Sequence, residues 1–202
     1  MRRSAVGGLV AIAVVAIAGC GQSTPPSGVP ASAAPTPAVA TSPPSPGAGS
    51  TVVDPTLLEL LPADVAGVEL TADEATAVDV VSDPTLGGSV AGLAVAAAFG
   101  PLPTDTMLDY VVVTLARLRP DIFDDAFFRD WRDTFDEAVC LQAGGVDGHA
   151  EAEIGGHQTF IGTCAGGVRT YHVYLPDSNV VVSMQGSGEG RYGELVVQGL
   201  KE

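Results

Sequence analysis

The sequence predicts an α+β fold, an antiparallel sheet that ends in a C-terminal β-meander and is covered on one face by two helices. Three stretches carry that prediction. Residues 149–184, "HAEAEIGGHQTFIGTCAGGVRTYHVYLPDSNVVVSM", divide into short β-branched and aromatic runs at the breaks Gly155-Gly156, Gly166-Gly167 and Pro176–Asn179, the pattern of consecutive hairpins. Residues 121–137, "DIFDDAFFRDWRDTFDE", place Phe123, Phe127, Trp131 and Phe135 four apart, which on a 3.6-residue period makes one slowly drifting apolar stripe. In "GRYGELVVQGL" (190–200), Tyr192, Leu195, Val196 and Gly199 fall at helical spacing, so a last helix is expected on the same sheet.

From the N-terminus, Arg2 and Arg3 precede the uncharged apolar run "AVGGLVAIAVVAIA" at 5–18. This reads as an export signal and is short for a membrane span. The following Ile17-Ala18-Gly19-Cys20 resembles the bacterial lipobox, in which the signal is cut before a Cys whose thiol becomes diacylglyceryl-modified. Residues 1–19 are therefore expected to be a lipoprotein signal peptide and Cys20 the lipidation site. Residues 21–50 hold eight Pro and no charge. A segment of that kind cannot bury a core, and 20–52 is expected to be a disordered Pro/Ala/Ser/Thr-rich stalk, reaching up to roughly 90 Å at about 3.1 Å per residue.

The remaining 53–202 are enough for a single α+β extracytoplasmic domain. Asp54-Pro55 is an N-cap followed by Pro at the first helical position, so "TLLELL" (56–61) should be a short helix. "GVEL" (67–70) and "AGLAVAAAFG" (91–100) read as strands. "DYVVVTLARLR" (109–119) fits a helical face through Val111, Leu115 and Leu118, yet its Tyr-Val-Val-Val-Thr run favours a strand. On the aromatic helix, Asp125/Arg129, Arg129/Asp133 and Arg132/Asp136 are opposite charges four apart and are expected to pair. Phe128, off the stripe, is expected to be exposed, with Asp121, Asp124 and Asp130 unpaired. If Cys20 carries lipid, Cys140 and Cys164 remain as an even pair, expected to be a disulfide in an oxidising compartment.

Parity sets the expected meander. A two-residue Gly166-Gly167 turn pairs Cys164 with Arg169 and Phe160 with Val173, and a four-residue turn at 176–179 pairs Leu175 with Val180 and Val173 with Val182. The core face then carries Phe160, Cys164, Tyr171, Val173, Leu175, Val180, Val182 and Met184. Thr159, Thr163, Thr170, His172, Tyr174 and Ser183 fall on the outer face. For the first hairpin, a two-residue Gly155-Gly156 loop would place Glu151 and Glu153 beside Phe160, an expensive burial. A three-residue Gly155-Gly156-His157 loop is therefore expected, turning Ala150, Ala152 and Ile154 inward.

The net charge of −15 repels phosphate backbones, and nucleic acid is not expected as a partner. No motif names a reaction. Ser187 in "QGSGEG" lacks the flanking glycines of a nucleophile elbow, and Ser89 fails likewise. Gly-Ser-Gly-Glu-Gly (186–190) could cradle an anion, but Glu189 would oppose it. His172, His149 and Glu151 are candidate metal ligands with no evident convergence. Neither metal nor cofactor is expected, and no catalytic residue is assigned.

The stretch "IGGHQTFIGTCAGG", followed by "TYHVYL" and "NVVVSM" and preceded by "FFRDWRDTFDEAVC", resembles uncharacterised secreted or lipid-anchored domains of actinobacterial lipoproteins, over roughly residues 110–200. The resemblance implies the extracytoplasmic face of the cell membrane and a one-domain architecture, and it implies no catalytic residue. The expected protein is a lipid-anchored, non-catalytic binding module for a small ligand or an envelope component. The alternatives are an accessory subunit docking in an envelope complex and a secreted hydrolase. Candidate ligand contacts are Phe128, Asp121, Asp124, Asp130, His172 and Tyr174.

Overall fold

Backbone pairing settles the ambiguous run at 109–119 as a strand. A computed structural model describes residues 49–101 and 108–202; the expected signal peptide, Cys20 and the stalk as far as residue 48 lie outside the described residues. Val90–Phe99 (β5) and Tyr110–Leu118 (β6) form an antiparallel pair in which Val113 opposes Ala96 and Leu115 opposes Ala94. Nearly every side chain of β5 is buried, and such a continuous apolar run is expected of a strand covered on both faces.

Ahead of β5 come Val52–Val53 (β1), a 3-10 turn at Pro55–Leu60, Asp64–Val65 (β2), Val68–Glu69 (β3), Thr71–Ala72 (β4) and the helix Glu74–Val81 (α1). The 3-10 turn starts where Asp54 accepts the Thr56 amide with Pro55 next to it. β1 runs parallel and β4 antiparallel to β5, both along its outer edge. The folded part thus takes in the last residues assigned to the stalk. Thr51 is buried and bonds the Val90 carbonyl at 3.0 Å, and Val52 opposes Gly92.

After β6 come the helix Asp125–Cys140 (α2), the strands Val146–Ile154 (β7), His157–Cys164 (β8), Arg169–Leu175 (β9) and Val180–Ser187 (β10), and the helix Tyr192–Gln198 (α3). The meander β7 to β10 is present, and β10 inserts beside β6 to give the order β1-β5-β6-β10-β9-β8-β7. The protein is α+β with a mostly antiparallel sheet.

The two covering helices lie on opposite faces rather than on one. Val111, Val113, Val182 and Met184 pack with Val196 and Val197 of α3, whereas Leu93, Ala116 and Val181 pack with Phe128 of α2 and Ala77 of α1. The reason is visible in β10. Both of its alternating sets, Val180/Val182/Met184 and Val181/Ser183, are buried, so each face needs its own cover.

Two turns differ from expectation and reverse the assignment of faces. The Leu175↔Val180 and Val173↔Val182 pairs occur as expected. Between β8 and β9, however, the Cys164 amide bonds the Val168 carbonyl and the Gly167 amide bonds the Cys164 carbonyl, with Gly167 at φ 81°. That is a three-residue loop closed by a left-handed glycine. Phe160 consequently opposes His172, not Val173, so Phe160 and Cys164 share a face with Thr170, His172 and Ser183. A slip of one residue moves a strand's whole set to the other side.

The first hairpin turns through Gly155-Gly156 alone. Both residues have positive φ, 62° and 91°, and Ile154 opposes His157, as a two-residue primed turn requires. Glu151 therefore does oppose Phe160. The expected penalty is avoided because β7 is the outermost strand, where Glu151 and Glu153 are exposed.

α2 is rotated by about one residue from its most aromatic stripe. The buried positions are Phe128, Asp136 and Cys140, while Phe127, Trp131 and Phe135 are half-buried flanks. Asp124 caps the helix by accepting the Phe127 amide at 2.7 Å. Phe123, one residue before the cap, lies 5.6 Å from Phe128, a hydrophobic staple. None of the three expected i, i+4 ion pairs forms among the described residues. Arg132 instead lies 3.8 Å over the Phe160 ring.

Cys140 and Cys164 are bonded and both buried, closing a loop over a sequence separation of 24. In the chain-entropy picture that closure contributes roughly 3 kcal/mol. Urea unfolding with and without reductant should show a loss of that order, with the native sheet retained after reduction because both faces keep their apolar cover.

Candidate functional site

Asp136 is the most unusual side chain of α2: a carboxylate only 1 % exposed at a helix-to-sheet contact. It is placed there by α2's rotation, two turns along the same stripe from the buried Phe128 and one turn before Cys140. The sheet answers with four polar residues that the corrected register turns toward α2.

Thr170 donates to Asp136 Oδ1 at 2.5 Å while accepting the Gly162 amide at 3.1 Å. His172 Nε2 lies 2.9 Å from the same oxygen, its Nδ1 lies 2.9 Å from Ser183 Oγ, and Trp131 Nε1 donates to Ser183 Oγ at 2.9 Å. An indole N–H only donates. The run of bonds that leaves no proton unused is therefore Trp131 to Ser183 to His172 to Asp136, with the imidazole proton on Nε2. His149, on the exposed edge strand, brings Nε2 to 3.1 Å from Asp136 Oδ2.

Burial pushes the Asp136 carboxyl up, but the hydrogen bonds from His172 and Thr170 and the nearby imidazoles of His172 and His149 outweigh it. They hold the carboxyl below the usual carboxylate range. Gly162 is needed for this packing, since a Cβ there would collide with Thr170 Oγ1 and the Asp136 carboxylate.

Ser183, His172 and Asp136 form a hydrogen-bonded Ser-His-Asp chain, yet its geometry is that of a clamp. The serine meets Nδ1 and the carboxylate meets Nε2, the reverse of the hydrolytic arrangement. All three residues are at most 1 % exposed, and Ser183 Oγ already accepts the Trp131 proton. What the chain does is fix α2 on the sheet.

The structure places the expected ligand contacts as follows. Phe128 is buried at 7 % exposure, against Phe123 and edge-on to Phe160, so it is core and not an exposed contact. Asp124 is the helix cap, and Asp121 and Asp130 are exposed. Tyr174 stacks on Phe123 and donates to Asn179 at 3.0 Å. His172 is buried rather than on an outer polar face. His172 and His149 do converge, on Asp136, and both line a cavity of about 360 Å3 with Arg132, Glu151 and Phe160. Among the described residues no group of three or more His, Cys, Asp or Glu is placed to hold a metal ion.

A cleft of about 800 Å3 opens at the other face, where β9 and β10 meet the start of α3. Arg169, Tyr171, Ser187, Glu189, Arg191 and Tyr192 line it. Ser187 is 6 % exposed and its hydroxyl has no hydrogen-bond partner among the described residues. The Gly-Ser-Gly-Glu-Gly loop is not a free cradle, because the Gly190 amide is bonded to Asp109 Oδ1 at 2.7 Å. Sequence reasoning missed Asp136 and the arginines of this cleft. The signal for Asp136 was present: Thr170, His172 and Ser183 share one parity, and Cys164 joins them once the turn before β9 is given three residues. The chain matches no family model, no curated protein and no solved structure.

Asp136 titrates lower in the folded than in the unfolded chain, so it adds stability at pH above its unfolded value of about 3.9 and loses that contribution as pH falls through its depressed folded value. Asp136→Asn presents an amide to donors from His172 and Thr170 and should cost about 3 kcal/mol at pH 7. The gap from wild type should narrow as both are melted toward pH 3. A constant gap across that range in thermal melts would contradict the assignment.

Proposed function

We propose that this chain is a lipid-anchored lipoprotein of the extracytoplasmic face of a bacterial cell membrane, and that its folded domain is a non-catalytic module that binds a small molecule. The observation that carries the binding reading is the cleft at the start of α3. Its volume of about 800 Å3 lies in the range of small-molecule sites, and Arg169, Tyr171, Arg191 and Tyr192 line it. Supporting the anchored reading are the Ile17-Ala18-Gly19-Cys20 sequence, the charge-free Pro-rich run behind it and the Cys140–Cys164 disulfide, a bond that persists in oxidising compartments.

The non-catalytic reading rests on where the candidate nucleophiles stand. Ser183 is sealed within the clamp, and Ser187 has no histidine within hydrogen-bond reach.

Expressed in a bacterium, the full chain should partition into the detergent phase on cloud-point extraction and carry an acyl mass increment. Cys20→Ala should lose both and appear in the aqueous phase; a variant that partitions like wild type removes the anchored reading. For the binding reading, a thermal-shift screen of the full chain should find compounds that raise stability by mass action, about 2.7 kcal/mol at a hundredfold excess over Kd.

A further inference from the structure

His149 is the one side chain of β7 that hydrogen-bonds α2 among the described residues. Its Nε2 lies 3.1 Å from Asp136 Oδ2, and the two groups sit in unlike surroundings: the imidazole is 58 % exposed, the carboxylate 2 %. The other carboxylate oxygen, Oδ1, is already held by Thr170 and His172. A solvated, titratable ring thus reaches from the edge of the sheet to a buried negative charge.

The strand that carries this ring is loosely held. β7 pairs with β8 only, and the pairing shifts register between Val146 and Gly148. Every residue from Val146 to Glu151 is exposed. Apart from His149 and the ladder to β8, the strand is tied at its ends: the Gly145 carbonyl accepts the Ala165 amide, Ile154 packs against the core beneath α3, and Gly155 lies against the Gln198 backbone. Few buried contacts and exposed backbone hydrogen bonds mark a segment that opens locally.

Hydrogen bonding around Asp136 selects which histidine takes up a proton. His172 Nδ1 accepts from Ser183, whose oxygen accepts from Trp131. A proton added to that Nδ1 would leave the buried Ser183 hydroxyl between two donors, with no acceptor for its own hydrogen, which is costly. His149 meets no such obstacle, because its Nδ1 has no partner among the described residues. The charged and titratable groups facing it are Asp136, Asp133, Arg132 and Arg129 from α2, Glu151 from β7 and His172 from β9; β8 adds no charge opposite it, at Gly162. Three carboxylates against two guanidiniums leave a surplus of negative charge facing the ring.

We propose that His149 is a pH-sensitive latch: in mild acid its imidazolium fastens the edge strand β7 to α2 through the Asp136 carboxylate, and with the proton gone β7 opens more often. The proton comes from water at the exposed Nδ1 and returns there, while Nε2 keeps its own proton toward Asp136. The latch sets how readily the cavity of about 360 Å3 between α2 and β7 is uncovered, and it is independent of ligand binding in the cleft at the start of α3. The closed strand presents the ring to a carboxylate and the open one does not. Closing is therefore favoured as pH falls through the range of an imidazole, about 6.5 in the unfolded chain, and that gain is lost as pH rises. Asp136 stays ionised throughout, since its carboxyl is held below the usual carboxylate range.

The test follows backbone amide exchange and imidazole 15N resonances of the full chain in detergent between about pH 5.5 and about pH 8, with exchange rates corrected for their intrinsic pH dependence. The β7 amides should exchange ahead of those of Val113 and Val182 at every pH, and their protection should be roughly two- to fivefold greater at the acid end. His149 should gain a second ring proton in this window while His172 keeps its single proton on Nε2. His149→Gln retains a donor for Asp136 but no titrating ring, so the pH response of its β7 amides should be flat.

The proposal is overturned by β7 protection that is constant or falls toward acid, by a second proton on His172 ahead of His149, or by an unchanged pH response in His149→Gln. Exchange of the β7 amides as slow as that of Val113 and Val182 overturns it as well, because the strand then has no opening of its own.

Discussion

Asp136 brings a carboxylate to a contact between a helix and a sheet where water does not reach, and the surrounding structure follows from satisfying it. A lone buried carboxylate would cost several kcal/mol. Thr170 and His172 must therefore project from β9 toward α2, Ser183 must follow on β10 to orient the imidazole, and Trp131 must turn its indole N–H inward to complete Ser183. That requirement fixes the rotation of α2 and the register of β9 against β8. The disulfide at Cys140, one turn on, locks the same rotation covalently. A greasy stripe alone would leave the helix free to roll; Phe127, Trp131 and Phe135 are more apolar than Arg132 and Asp136, yet the latter stripe faces the sheet.

Much of the architecture was legible because it depends on period and punctuation. β5, β6, the meander, α2 and α3 all follow from apolar spacing and turn residues, and the Asp54-Pro55 signal places the first turn correctly. What failed was parity. Gly-Gly occurs at both hairpins, and the same dipeptide makes a two-residue turn at Gly155-Gly156 but belongs to a three-residue loop with Ala165 at Gly166-Gly167. Local sequence does not distinguish them; the pairing of Cys164 with Cys140 and of Thr170 with Asp136 does, and both are distant in the chain. One wrong residue of register put Phe160 and Cys164 on the face opposite to His172, which hid the polar cluster altogether.

The expected charge pattern of α2 failed for a related reason. Spacing at i, i+4 makes Arg132 and Asp136 neighbours on an isolated helix, where each pair is worth only about 0.2–0.5 kcal/mol. Docking on the sheet offers each a stronger partner. Asp136 takes Thr170 and two imidazoles, and Arg132 lies on Phe160, where a cation over an aromatic face contributes about 0.5–2 kcal/mol. Local pairing rules hold while nothing larger competes.

The two faces of the sheet then differ in a way that bears on function. Beneath α2, the Ser-His-Asp chain is mutually satisfied and, though it resembles a catalytic constellation in composition, holds the helix, while Arg132 Nε beside it has no partner among the described residues. Beneath α3, Arg169 and Arg191 share the Glu194 carboxylate and keep further donors exposed along the cleft. A network that closes on itself has no free donor to offer a ligand; one that stays open does. The proposed binding reading therefore rests on the arginine-lined cleft at the start of α3, and the Ser-His-Asp chain at Asp136 serves stability.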